Sequence, residues 1–236
     1  VPEERIVRRK STSEFPVSSI NFCLDYASIK LKDVDYIAVA WNPGINASHR
    51  YRGGFSDWVR TPMERLYSVP NRLLTLQETN KVVNTEEIFS FIDNTKISIH
   101  HITHHCAHAA NAFYLSSFEE AAIYTSDYFG ENTTASWGVG NGEDIELFQE
   151  MHFPHSIGAL YAAFTEFLGF VPESEEWKVM GASSYGNPEK FINRMRKLYE
   201  LREDGKIELN LNYFNHFNFE TGGFFSNKIY ELFGEQ

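Results

Sequence analysis

Apolar residues recur along the chain with two periods, and these predict its helices and strands. Residues 16–29 (PVSSINFCLDYASI) place Ile20, Leu24 and Ala27 on one helical face, with Pro16 suited to the first turn. The short apolar run VDYIAVAW, 34–41, predicts a buried strand. KISIHHI, 96–102, predicts another, after which Thr103 can cap an Ala-rich helix over 104–115. AAIYTSD (121–127), TTASWGVG (133–140) and DIELFQEMHF (144–153) follow as three strands. Sharp turns separate them, one of them Gly-Asn-Gly at 140–142, so an antiparallel meander is expected. HSIGALYAAFTEFLGF, 155–170, predicts a helix with Ile157, Leu160, Tyr161, Phe164 and Leu168 on one side. Asn187-Pro188 opens a further helix, expected to bury Phe191, Met195 and Leu198. KIELNLNY, 206–213, alternates like an exposed strand.

The mixture predicts an α/β protein. A lobe boundary is expected near 116–121, giving a first lobe over 1–118 and a second over 119–236. Residues 42–80 mix Gly, Pro, Arg and aromatics without a period, and predict nothing definite. No repeat or low-complexity tract interrupts the chain. It opens at Val1 in a segment that already reads as domain interior, so a partial chain is expected.

Composition narrows the function classes. The 236 residues, 42% of them hydrophobic, suffice for one large domain or two modest lobes. No apolar run reaches the length of a membrane span, and no secretory leader pattern opens the chain. A net charge of −11 disfavours nucleic acid as a general partner, because phosphate binding needs many Lys and Arg contacts. Arg8-Arg9-Lys10 reads as a solvated turn. Two cysteines, Cys23 and Cys106, argue for a reducing cytoplasm over a disulfide scaffold.

The most concentrated chemistry is HHITHHCAH at 100–108, which holds five of the nine histidines. Three pairs have the four-residue spacing that puts two imidazoles on one helical face: 100/104, 101/105 and 104/108. Only His104 and His108 lie wholly within the Ala-rich helix, where Ala107, Ala109 and Ala110 allow close approach of another backbone. Two imidazoles need a carboxylate to complete a metal site. Asp127, expected at the end of a strand in TSDYFGE, is the natural third ligand.

THHCAHAANAF (103–113), AAIYTSDYFGE (121–131), TTASWGVG (133–140), FPHSIGALYAAFTEFLGF (153–170) and EEWKVMGASSYGNP (175–188) together resemble the carbamoyltransferases of the NodU/CmcH type. The likeness covers most of 3–190, in order and with similar spacing, and includes the opening EERIVRRK and Phe15-Pro16. It implies a first domain similar to the actin/Hsp70 ATPase (RNase H-like) superfamily, close to the threonylcarbamoyl transferases that act on tRNA. It also implies strands before Val1 and an adenylate-forming domain after Gln236. The implied ligands of an iron ion, Fe(II), are His104, His108 and Asp127. Implied nucleotide-binding residues are Gly130, Glu131, Gly158, Glu176, Lys178 and Gly181, with no catalytic base assigned. In the implied reaction ATP and carbamoyl phosphate form carbamoyl adenylate, and the carbamoyl group passes to the hydroxyl of a small acceptor. A homodimer is an open expectation. Trp177 and Tyr185 are expected to pack.

Departures keep two alternatives in view. Tyr128 stands where the family's D-G-x-G-E has glycine, Glu175 where S-G-E-Y-K has glycine, and Ala-Ser-Ser-Tyr-Gly at 182–186 replaces L-A-P-Y-G. A bulky ring and a negative charge near a presumed nucleotide suit a degenerate, non-catalytic binding module. A relative of the tRNA threonylcarbamoyl transferases is the other alternative, against which the acidic balance argues.

Overall fold

The protein is described from a computed structural model over residues 2–9, 16–41, 83–84, 98–218 and 223–234. The expectation that 42–80 lacks a clear pattern falls outside these residues. Contacts group the chain into two units, one comprising residues 1–39 and 77–101, the other 40–76 and 102–236.

In the first unit, α1 (Glu3–Val7) and α2 (Val17–Ala27) are joined by Glu3, whose carboxylate accepts the backbone N–H groups of Ser18 and Ser19. That negative charge sits at the start of α2, where the helix's unpaired donors favour an acceptor. β1 (Tyr36–Val39) runs parallel to β3 (Ser98–His101), and β2 (Val83–Asn84) pairs antiparallel with β3. Ser19 is the buried residue of α2. One expectation needs correction. The strand predicted to be buried is largely exposed, with Tyr36 at 67%. Among the described residues β1 pairs only with β3, so its apolar side chains gain less cover than a central parallel strand gives.

The second unit holds α3 (His104–Phe113), followed by the meander of β4 (Glu120–Gly130), β5 (Thr133–Asn141) and β6 (Asp144–His152). Both strand pairs are antiparallel, as the alternation predicted. Ala109 and Phe113 of α3 pack on Ile123 of β4, with Ala121, Ile145 and Leu147 around them. β4 does not stop at Asp127. It continues to Gly130, and its pairing with β5 is irregular between Ser126 and Gly130.

α4 (Ile157–Phe167) packs against β4. Its deepest residues are Ala159, Ala162, Ala163, Thr165 and Phe167, whereas Tyr161 and Leu168 of the expected face are exposed. Small residues win here because the helix lies close against the β4 backbone: a Cβ on Gly158 would stand 2.7 Å from the Tyr128 N and Cα atoms. α5 (Glu176–Ala182) follows. The helix expected after Pro188 is instead a 3-10 turn over Pro188–Lys190 and a short α6 (Ile192–Met195), because the chain must turn into β7 (Tyr199–Leu201). β8 (Ile207–Leu209) returns antiparallel to β7. It is not the exposed strand predicted, since Leu209 joins Ala163, Leu198 and Phe214 in the core. α7 (Ile229–Phe233) closes the unit. The architecture is therefore mixed α/β with an antiparallel sheet. No described helix is long and apolar enough to cross a membrane.

Candidate metal centre

α3 and β4 bring together the three residues singled out as ligands. His104 Nε2 lies 2.7 Å from Asp127 Oδ2, His108 Nε2 lies 3.2 Å from the same oxygen, and the two Nε2 atoms are 3.0 Å apart. These donor atoms all fall within 4.8 Å of one another, and among the described residues no other His, Cys, Asp or Glu group of three does so. The helix supplies the pairing because residues four apart share a face. The irregularity in β4 supplies the aim: between Ser126 and Gly130 the strand leaves its ladder, and bulges of this kind redirect side chains.

Each donor is oriented by another group. His104 Nδ1 lies 3.1 Å from the Ala40 carbonyl oxygen. A carbonyl can only accept, so Nδ1 donates to it, and Nε2 is the ring nitrogen that faces Asp127 and that a metal would take. Asp127 Oδ1 accepts the Tyr128 N–H at 2.7 Å, which leaves Oδ2 for the histidines. Burial opposes ionisation of Asp127. Hydrogen bonds from His104, the Tyr128 backbone and His108 outweigh it and hold the carboxyl below its ordinary range. Two imidazoles, a carboxylate and a carbonyl behind one ring are a donor set that suits a divalent metal such as iron, zinc or manganese.

His105 is excluded from the ligand set by its own bonds. It is 2% exposed, its Nδ1 meets Thr125 Oγ1 at 2.7 Å, and its Nε2 meets the Thr133 carbonyl at 2.9 Å. Burial, offset in part by the Thr133 bond, pushes its pKa down. This neutral imidazole fastens α3 to β4 and β5, which removes the 101/105 pair from contention.

The residues expected to bind nucleotide take diverse places. Gly130 lies under His104: a Cβ there would be 2.3 Å from the His104 Cβ. Glu131 is 4% exposed and accepts the His104 backbone N–H with both carboxylate oxygens at 3.2 Å. It therefore does the capping expected of Thr103, whose side chain makes no capping bond. Gly158 and Glu176 line an open cavity of about 560 Å³ with Asp127, Tyr128, Tyr161 and Glu173. Ser156 ties the start of α4 to β4. Its hydroxyl donates to the Tyr128 carbonyl at 2.7 Å and accepts the Ala159 N–H at 3.0 Å, capping α4 beside the candidate metal ligands. Burial and then the Glu176 charge raise the Glu173 pKa. Lys178 forms an ion pair with Glu175, the residue that departs from the family pattern. Gly181 faces open space. Trp177 and Tyr185 do not pack: they are 61% and 94% exposed.

Sequence reasoning missed the Ala40 carbonyl and Ser156, and it did not foresee the capping bond of Glu131. The Ala40 carbonyl has no side-chain signature. Ser156 had one, a serine just before an apolar helical run. Glu131 acts across 27 residues, beyond any local spacing rule.

The family model described as Carbamoyltransferase N-terminus matches residues 1–236. The chain is 35% identical over 249 residues to the uncharacterized protein sll1178 of Synechocystis sp., an alignment covering 99% of this chain and 38% of that protein. It is 29% identical over 211 residues to nodulation protein NolNO of Sinorhizobium fredii, covering 89% of this chain and 29% of that protein. Nodulation protein NolO of Bradyrhizobium diazoefficiens is 32% identical over 110 residues, 47% of this chain and 20% of that protein. The chain thus spans well under half the length of these curated relatives.

Proposed function

Because this chain belongs to the carbamoyltransferase N-terminus family, we propose that it is the nucleotide- and metal-binding part of an O-carbamoyltransferase. In this reading a carbamoyl group moves from carbamoyl phosphate, through carbamoyl adenylate made with ATP, to the hydroxyl of a small acceptor. The fold we propose is of the actin/Hsp70 type. The observation that carries the reading is the convergence of His104, His108 and Asp127 donor atoms within 4.8 Å.

The proposed ion is iron(II), which when bound supplies Lewis-acid stabilisation of negative charge on a phosphoryl or acyl oxygen. The chain's own residues prepare that chemistry. The Ala40 carbonyl keeps His104 in the tautomer whose Nε2 is free to bind metal. Asp127 stays ionised at neutral pH. Beside these ligands, the cavity bounded by Tyr128, Gly158, Tyr161, Glu173 and Glu176 is the proposed nucleotide seat. There Glu176 can accept a hydrogen bond from a ribose hydroxyl. Lys178 can meet a phosphate once its pair with Glu175 opens.

That ion pair also favours a second reading, a binding module that keeps the metal but not the chemistry. The lysine is already neutralised, and Tyr128 occupies part of the cavity wall. Both readings share the metal, and anaerobic Fe(II) titration tests it. His108→Ala and Asp127→Ala should each lose bound iron, whereas His152→Ala, away from the cluster, should keep it. Equal retention in all three would refute the site.

A further inference from the structure

The residue after Gly130 pays a backbone cost that the turn itself does not require. Glu131 and Asn132 form the two-residue connection between β4 and β5, and Glu131 sits at φ 53. Glycine or asparagine adopts this left-handed conformation readily, while a residue with a long side chain is strained there. Strain of this kind persists where the surrounding structure uses the residue. Here the use is visible. The carboxylate is buried and receives the His104 N–H at 3.2 Å on both oxygens, at the first residue of α3.

Other contacts place that grip at the metal ligands. The absent Cβ of Gly130 makes room for the His104 side chain. His105, next in the helix, bonds to Thr125 and Thr133, which flank the turn on β4 and β5. One hairpin end thus carries Asp127 and also holds the start of the helix that carries His104 and His108.

We propose that Glu131 is a positioning residue for the metal site: it fixes His104 relative to Asp127 by capping α3 and does not itself bind nucleotide. The inference rests on the metal reading given above. It assigns to Glu131 a role distinct from the nucleotide contact that family resemblance implies.

The decisive variant is Glu131→Gly, because glycine relieves the left-handed strain while removing the cap. The two effects on stability oppose each other, so the metal-free full chain should melt near the wild-type temperature. Affinity for Co(II), measured by chelator competition, should nonetheless fall by about 10–100-fold, the usual effect of losing an outer partner of a metal ligand. The Co(II) visible absorption should also change. Glu131→Gln keeps an oxygen that can accept the same N–H and should stay closer to wild type than Glu131→Gly. Wild-type Co(II) affinity in Glu131→Gly would overturn this inference alone. A wild-type chain that binds no Co(II) would overturn the metal reading and the inference together. ATP affinity separates the roles further. In metal-free protein Glu131→Gly should leave it unchanged, and a large loss there would restore the nucleotide role and overturn the proposal.

Discussion

Replacing Gly130 with alanine tests the packing that delivers His104 to the site. The new Cβ would stand 2.3 Å from the His104 Cβ and 2.4 Å from its Cγ and Cδ2, where ordinary contact begins at 3.4 Å. Relief therefore requires the start of α3 to retreat by about 1 Å, since close-packed neighbours leave little free volume. A shift that size lengthens the 3.2 Å bonds between His104 N–H and Glu131 beyond useful range. It also exceeds the roughly 0.2 Å tolerance of a metal–ligand bond. The expected costs are about 1–3 kcal/mol of stability from overpacking and about 10–100-fold in metal affinity. Gly181→Ala is the matched control. Nothing lies within 4 Å of its added Cβ, and alanine in helix α5 should be neutral or stabilising by up to about 1 kcal/mol. Urea unfolding and chelator competition on the two variants give both numbers. Gly130→Ala that binds metal like Gly181→Ala would refute the packing argument.

Two further outcomes follow from buried and paired charges. His216 donates from Nε2 to the Pro154 carbonyl at 2.8 Å, while its buried Nδ1 finds no partner among the described residues, and burial pushes its pKa down to about 4. The unfolded chain, near 6.5, takes up the proton first. Stability present above pH 6.5 is thus lost as pH falls toward 4, by about 2–3 kcal/mol at pH 4.5 at roughly 1.4 kcal/mol per pH unit. Unfolding curves at pH 7 and 4.5 should show a smaller drop for His216→Phe than for wild type, and equal drops would contradict the assignment. Glu175→Gly should free Lys178 and tighten ATP binding by about two- to fivefold, equivalent to roughly 0.5–1 kcal/mol for a partly exposed pair. The same variant loses the Glu175 bond to the Val171 N–H, so unchanged or weaker binding would mean that Glu175 orders the loop rather than blocks the lysine.

The meander and the clustering of His104, His108 and Asp127 were legible because local rules govern them. Alternation marks strands buried on one face, and four-residue spacing on an Ala-rich helix pairs His104 with His108. Asp127 was legible as an acid near a strand end, though the irregular pairing that aims it was not, since bulges depend on the partner strand. The face of α4 was misread because bulk suggested burial at Tyr161 and Leu168, while close approach to β4 selects Ala159, Ala162 and Ala163. Trp177 and Tyr185 were expected to pack and instead lie exposed. Glu131 carried no local cue, because its partner is brought near only by the docking of α3 on the sheet.

The central question is whether the His104, His108 and Asp127 cluster serves a nucleotide beside it. Calorimetric titration of ATP into the Fe(II)-loaded and metal-stripped chain asks this directly. Binding should strengthen with iron and lose that gain in Asp127→Ala. Affinity indifferent to the metal, or no ATP binding in either state, would contradict that expectation.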